Sequence, residues 1–139
     1  MISFYSEGLS FKLSQSKIVK DWIKETILFY SKKVGDINII FCNDDYLLSI
    51  NRQFLNHDYY TDIVTFNNNV GNKINGELYI SLDRVNENSM EFGVEKEYEL
   101  MRVVIHGILH LIGFDDHTDE QELEMRQTED LHLKNLKYK

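Results

Sequence analysis

Along the 139 residues, apolar positions recur at two different periods, and the alternation between the periods predicts the elements. Residues 2 to 13 alternate around Leu9, Phe11 and Leu13, which reads as an extended edge segment with an outward Lys12. Ser14 or Ser16 then caps a helix in which Val19, Trp22, Ile23, Ile27 and Tyr30 fall at i, i+3, i+4 spacing, with Gly35 as its stop. Ile37 to Cys42 is a short strand rich in β-branched residues, and Asn43 supplies the N-cap of a helix through Leu47, Leu48, Ile50, Asn51 and Phe54. A loop from Leu55 to Tyr60 leads to a strand over Asp62 to Phe66, which a polar turn at residues 67 to 75 joins to the strand Glu77 to Ser81 as an antiparallel pair. A helix over Arg84 to Met90 ends at Gly93, and a longer one runs from Glu95 to Ile112. Thr118 and Gln121 form a capping box for the last helix, which carries Leu123, Leu131, Leu133 and Leu136. The elements add up to one α+β domain over residues 1 to 139, a small mixed sheet packed with helices.

The helix ending at Ile112 is aliphatic almost all round, which predicts burial, yet it carries His106 and His110 one turn apart on the same face. Gly113 ends it, and Asp115, Asp116 and His117 follow at once, returning toward the exposed end of the pair. Two helical histidines plus a third N or O donor from the following turn form the donor set of a catalytic zinc site with one position left open. A lone core histidine needs only a carbonyl partner; two at this spacing before a Gly and an Asp-Asp-His cluster point to a metal. In zinc peptidases of related spacing the residue after the first histidine is the glutamate that serves as general base. Here that residue is Gly107, and a peptidase is disfavoured.

Composition changes this picture in two places. The single Cys42 excludes an internal disulfide and sits in an apolar strand, so its role is structural. No apolar run is long enough for a membrane span, and the N-terminus lacks a secretory pattern, so the expectation is a cytoplasmic protein with no membrane partner. The net charge of −8 argues at first against a nucleic-acid partner. Its distribution softens that objection: residues 1 to 33 carry six lysines against three acids, while residues 115 to 130 carry eight acids against Arg126 alone.

The run His106-Gly107-Ile108-Leu109-His110-Leu111-Ile112-Gly113-Phe114-Asp115-Asp116-His117 resembles the H-G-x-L-H-L-x-G-[YF]-D-H signature of the YbeY family of bacterial metal-dependent endoribonucleases and rRNA maturation factors. Asn51 to Phe66 is similar to that family's N-x-x-[YF]-R-x-x-D-x-P-T-D-V-L-S-F segment, and Gly76 to Ser81 to its G-D-I-x-I-S strand. The resemblance spans residues 37 to 131 and implies one zinc ion per chain, single-stranded RNA as substrate, action in rRNA processing including 16S rRNA 3′ end maturation, a role in ribosome quality control, and the small ribosomal subunit as partner, with no DNA expected.

Three departures from the family pattern bear on mechanism. The chain has no proline, so Tyr60 and Asn67 stand where the family has one. The family arginine falls at Leu55, and Arg52, one helical turn earlier, is the candidate to replace it as a catalytic residue. The third metal ligand is Asp116 if the family spacing is kept, or His117 if one residue is inserted; Asp116 is preferred, because an insertion would displace the whole return loop. Asp115 is a candidate orienter or proton acceptor, and His57, Asp58 and Asp62 are loop residues able to face the same cleft. Two readings from other classes stay open: a ribosome-assembly factor that binds RNA without cleaving it, its metal structural, and a zinc metallopeptidase drawing its base from outside the motif.

Overall fold

A computed structural model describes residues 1 to 137. The order of elements is β1 (Ile2–Glu7), α1 (Ser16–Phe29), β2 (Lys33–Cys42), α2 (Asp44–Leu55), β3 (Ile63–Asn67), β4 (Lys73–Ser81), α3 (Leu82–Phe92), α4 (Lys96–Ile112) and α5 (Asp119–Asn135). The strands form one mixed sheet in the order β1-β2-β4-β3, with β1 and β4 parallel to β2 and β3 antiparallel to β4. Both parallel connections contain a helix, as a crossover requires, and β1 is an edge strand.

Alternation along the strands divides the interior in two. Ile37, Ile39 and Phe41 of β2 and Ile74, Leu78 and Ile80 of β4 join the main core, together with α1 and α4. On the other face a small cluster of Cys42, Leu47, Ile50 and Val64 lies beneath α2. Cys42 is fully buried there, and burial pushes its thiol up to about 12, which suits an inert packing residue.

Several boundaries differ from the sequence reading for identifiable reasons. β1 stops at Glu7, although Leu13 and the partly buried Phe11 still pack into the main core from the irregular segment that follows. Gly35 does not stop α1; that helix ends at Phe29, Ser31 takes a positive φ of 61°, and Gly35 lies inside β2 beside the irregular pairing between Val34 and Ile37. Neither serine caps α1, whose N-cap is Gln15. β4 begins at Lys73, inside the segment read as a turn, because its inward positions alternate through Ile74 and Gly76. Asn43, Gly93 and the Thr118–Gln121 capping box stand where the sequence puts them. On α5, Leu123 and Leu131 are exposed, and Met125, Glu129, His132 and Leu133 turn inward instead.

Helix α4 is the spine of the main core, with Leu100 to Ile105, Gly107 to Leu109 and Leu111 all buried. It can lie tightly on the sheet because Gly107 faces β3 and β4: a Cβ there would come within 2.7 Å of Ile63 Cδ1 and 3.0 Å of both Leu78 δ-carbons. A glutamate at this position would have to displace the ends of the Ile63 and Leu78 side chains and bury its carboxylate among them. Gly107→Glu is therefore expected to lower the melting temperature steeply, overpacking and an unpaired buried carboxylate together costing several kcal/mol. Thermal denaturation followed by circular dichroism checks this, and an unchanged midpoint would contradict the packing.

Candidate metal centre

A candidate metal-binding group is assembled by the last two turns of α4 and the loop after it. His106 and His110 leave the helix on one face, and Gly113 closes it with a φ of 127°. Its N–H donates to the His110 and Leu109 carbonyls, and the chain reverses so that Asp116 points back. His106 Nε2 lies 3.0 Å from His110 Nε2, and Asp116 Oδ2 lies 3.4 and 3.3 Å from these two nitrogens. Among the described residues this is the group of three donors that converges closely enough to hold a metal ion. Three lone-pair atoms facing one another repel unless a proton or cation lies between them.

The spacing suits zinc. With metal–ligand bonds of about 2.0–2.1 Å and tetrahedral angles, neighbouring ligand atoms stand about 3.3–3.4 Å apart. Two imidazoles and one carboxylate are also a donor set that zinc accepts. The exposed His117 stays outside the group: its backbone N–H donates to Gln121 Oε1 in the cap of α5.

A second layer holds the first. Glu129 of α5, only 3% exposed, places Oε2 2.6 Å from His106 Nδ1, and Arg102 grips Glu129 Oε1 at 2.8 Å and Asp130 at 2.6 Å. With Nδ1 protonated and donating to the carboxylate, Nε2 keeps its lone pair for a metal. Burial alone would lower the His106 pKa, but the Glu129 hydrogen bond and the negative charges of Glu129, Asp116 and Asp62 raise it above its ordinary value. Burial likewise opposes the charge on Arg102, yet its bonds to Asp130 and Glu129 hold its pKa above the usual value. None of this layer is singled out by the sequence motif. Its only signal was polarity: Arg102 lies four residues before His106 on an apolar helix, and Glu129 is one acid among many on α5.

Cavities flank the group on both sides. One of about 350 Å³ lies between α3, α4 and α5, and one of about 470 Å³ lies beside β3 and the loop after α2; Asp62, His106 and Asp116 line both. Burial raises the Asp62 pKa, partly countered by His106. The loop carrying Asp62 is tied to α2 by Asn51, buried to 1% exposure, whose amide donates to the Tyr59 carbonyl and whose own carbonyl accepts from His57 N–H. His57 and Leu55 line the larger cavity. Arg52 and Asp58 are paired with each other on the surface and line neither cavity, and Asp115 is exposed and outside both.

The architecture and this group define an α+β domain with a two-histidine, one-carboxylate group, able to hold a metal ion, at the end of its central helix. The profile of the family described as Endoribonuclease YbeY matches residues 2–137, nearly the whole chain, and the chain belongs to that family. It is 47% identical over 134 residues to the Endoribonuclease YbeY of Flavobacterium psychrophilum, covering 96% of this chain and 95% of that one. It is 48% identical over 130 residues to that of Christiangramia forsetii, covering 93% and 90%. A Thermotoga maritima protein solved in solution shares the fold with a TM-score of 0.70 and 32% identity, over 98% of this chain and 89% of that one.

Glu129→Gln keeps the volume but removes the charge that orients His106. Metal affinity is expected to fall about 10–100-fold. Competition titration against a chromogenic chelator measures it; unchanged affinity would show that Glu129 serves only the packing of α5.

Proposed function

We propose that this chain is a zinc-dependent endoribonuclease that prefers single-stranded RNA, binding one zinc ion through His106, His110 and Asp116. It acts in rRNA processing, including maturation of the 16S rRNA 3′ end, and in ribosome quality control, in the cytoplasm and on the small ribosomal subunit. The observation that carries the reading is the convergent two-histidine, one-carboxylate group between two cavities, in a chain whose relatives bear the name Endoribonuclease YbeY. Among the described residues no helix is long and apolar enough to cross a membrane.

When bound, zinc supplies Lewis acidity that polarises a phosphodiester and makes a water more acidic. The chain's own residues do the rest. Glu129 holds the His106 proton at Nδ1, so that Nε2 stays a donor toward the reacting side. Asp62, half-buried at the boundary of the two cavities, is placed to take a proton from the attacking oxygen or return one to the leaving group. Asn51 fixes the loop that carries it. The lysine-rich first third of the chain offers sequence-independent phosphate contacts, so RNA affinity falls steeply with salt.

His106→Ala and His110→Ala are each expected to lose the metal by elemental analysis, and Asp116→Ala to weaken it more than His117→Ala in competition titration. The loaded wild-type protein should cut labelled unstructured RNA, and a chelator should stop it. RNA bound but left intact, with normally processed rRNA ends after depletion in cells, would replace this reading with that of a non-cleaving assembly factor. The one observation on that side is Leu55, which lines the larger cavity where the family pattern has arginine.

Leu55→Arg would bring a cation to developing phosphoryl charge, and loss of one such donor typically costs about 10²–10³-fold. The substitution is therefore expected to raise single-turnover cleavage by up to that order. If Arg52, paired with Asp58 at the surface, already fills the role of the family arginine, Arg52→Ala should lower the rate. A slower Leu55→Arg enzyme would mean that the cavity needs an apolar wall.

A further inference from the structure

The smaller cavity contains a side chain that neither the fold nor the metal centre uses. Glu99 of α4 is 4% exposed and lines the cavity; no hydrogen bond or ion pair engages its carboxyl among the described residues, and its oxygens are not sealed in the interior but open to that cavity. The nearby Arg102 guanidinium is already taken by Glu129, Asp130 and the Tyr98 hydroxyl. A carboxyl buried without a partner is costly and is retained where a ligand completes it. Its pKa is raised, chiefly by burial, with the Arg102 charge opposing.

The remaining walls say what kind of ligand fits. Glu122, Glu129, Asp62 and Asp116 also line this cavity against Arg102 and Arg126, so a phosphate is repelled. A neutral group with hydrogen-bond donors is welcome. Phe92, 51% exposed at the mouth, presents a ring to the cavity, with the Arg126 guanidinium 5.8 Å from its centroid, and Asn88 adds an amide. A flat aromatic wall, a carboxyl at depth, an amide beside it and about 350 Å³ of space suit a planar heterocycle. The larger cavity, across the metal group, has Asp62 and Asp116 as its only acids and is left for the sugar-phosphate chain.

Building on the endoribonuclease reading, we propose that the cavity between α3, α4 and α5 is a base-recognition subsite: Phe92 stacks on the base of a nucleotide flanking the cleaved bond, and Glu99 accepts a hydrogen bond from its exocyclic amino group. Adenine, cytosine and guanine carry such a group; uracil has carbonyls at those positions and only its ring N3–H as a donor, and is disfavoured. The subsite sets where a single strand is cut, and the metal group does the cutting.

The test is to digest a random-sequence single-stranded RNA pool with the zinc-loaded wild-type protein and with Glu99→Leu and Phe92→Ala, and to sequence the new ends. The wild type should disfavour uracil at one position flanking the cut, on the order of tenfold to a hundredfold, and both variants should flatten that bias. Glu99→Leu should also keep its metal stoichiometry and melt above the wild type, because it removes an unpartnered buried carboxyl; a purely structural Glu99 would make that variant melt lower. Cleavage by the wild type without base bias, or bias that persists in both variants, overturns the subsite while leaving the nuclease standing. Wild-type protein that neither binds nor cuts the pool overturns the endoribonuclease reading, and the subsite falls with it.

Discussion

The close seating of α4 on the sheet at Gly107 is the constraint on which the rest depends. With no Cβ at that position, the helix rests against Ile63 and Leu78, and its next residues on the outward side are the two histidines. Height above the sheet and rotation about the helix axis are thus fixed together. A helix held farther out would carry His106 away from Glu129 and His110 away from the return loop. Core packing thus places the two histidines, and the polar contacts of Glu129 and Asp116 orient them.

The electrostatics of the centre follow from that seating. Three charged residues and one histidine on two helices form a chain from Asp130 through Arg102 and Glu129 to His106. Every charge in it has an opposite or hydrogen-bonded neighbour, which is the condition for keeping such a network out of water. Glu99 lies one turn from Arg102 on the same helix but outside the chain, so the cavity receives a group that the protein itself leaves incomplete.

Much of this was legible in the sequence because the signals were local. The i, i+4 histidines, Gly113 and the Thr118–Gln121 box each depend on neighbours within a few residues, and all stand where the pattern puts them. The strand and helix order was legible for the same reason, down to the antiparallel β3–β4 pair. What was not legible rests on partners distant in the chain. Glu129 looks like one solvated acid in an acidic stretch until α5 packs on α4 and buries it, and Arg52, near the family arginine in sequence, turns to Asp58 on the surface. Gly35 carries every local mark of a helix stop, yet the parallel pairing of β2 with β4 draws it into a strand. The return loop brings Asp116, and not His117, beside the histidine pair.

The attachment of α5 sets the order in which the centre comes together. Trp22 of α1 donates to the His132 carbonyl and Tyr30 shares a hydrogen bond with the His132 ring, so the last helix is clamped to the first across more than a hundred residues of chain. Glu129 lies one turn earlier on that helix. During synthesis both histidines leave the ribosome well before the carboxylate that orients them, and the clamp closes only when the C-terminal helix has emerged. A nascent chain therefore carries both histidines before they are aligned, and their alignment coincides with completion of the whole domain.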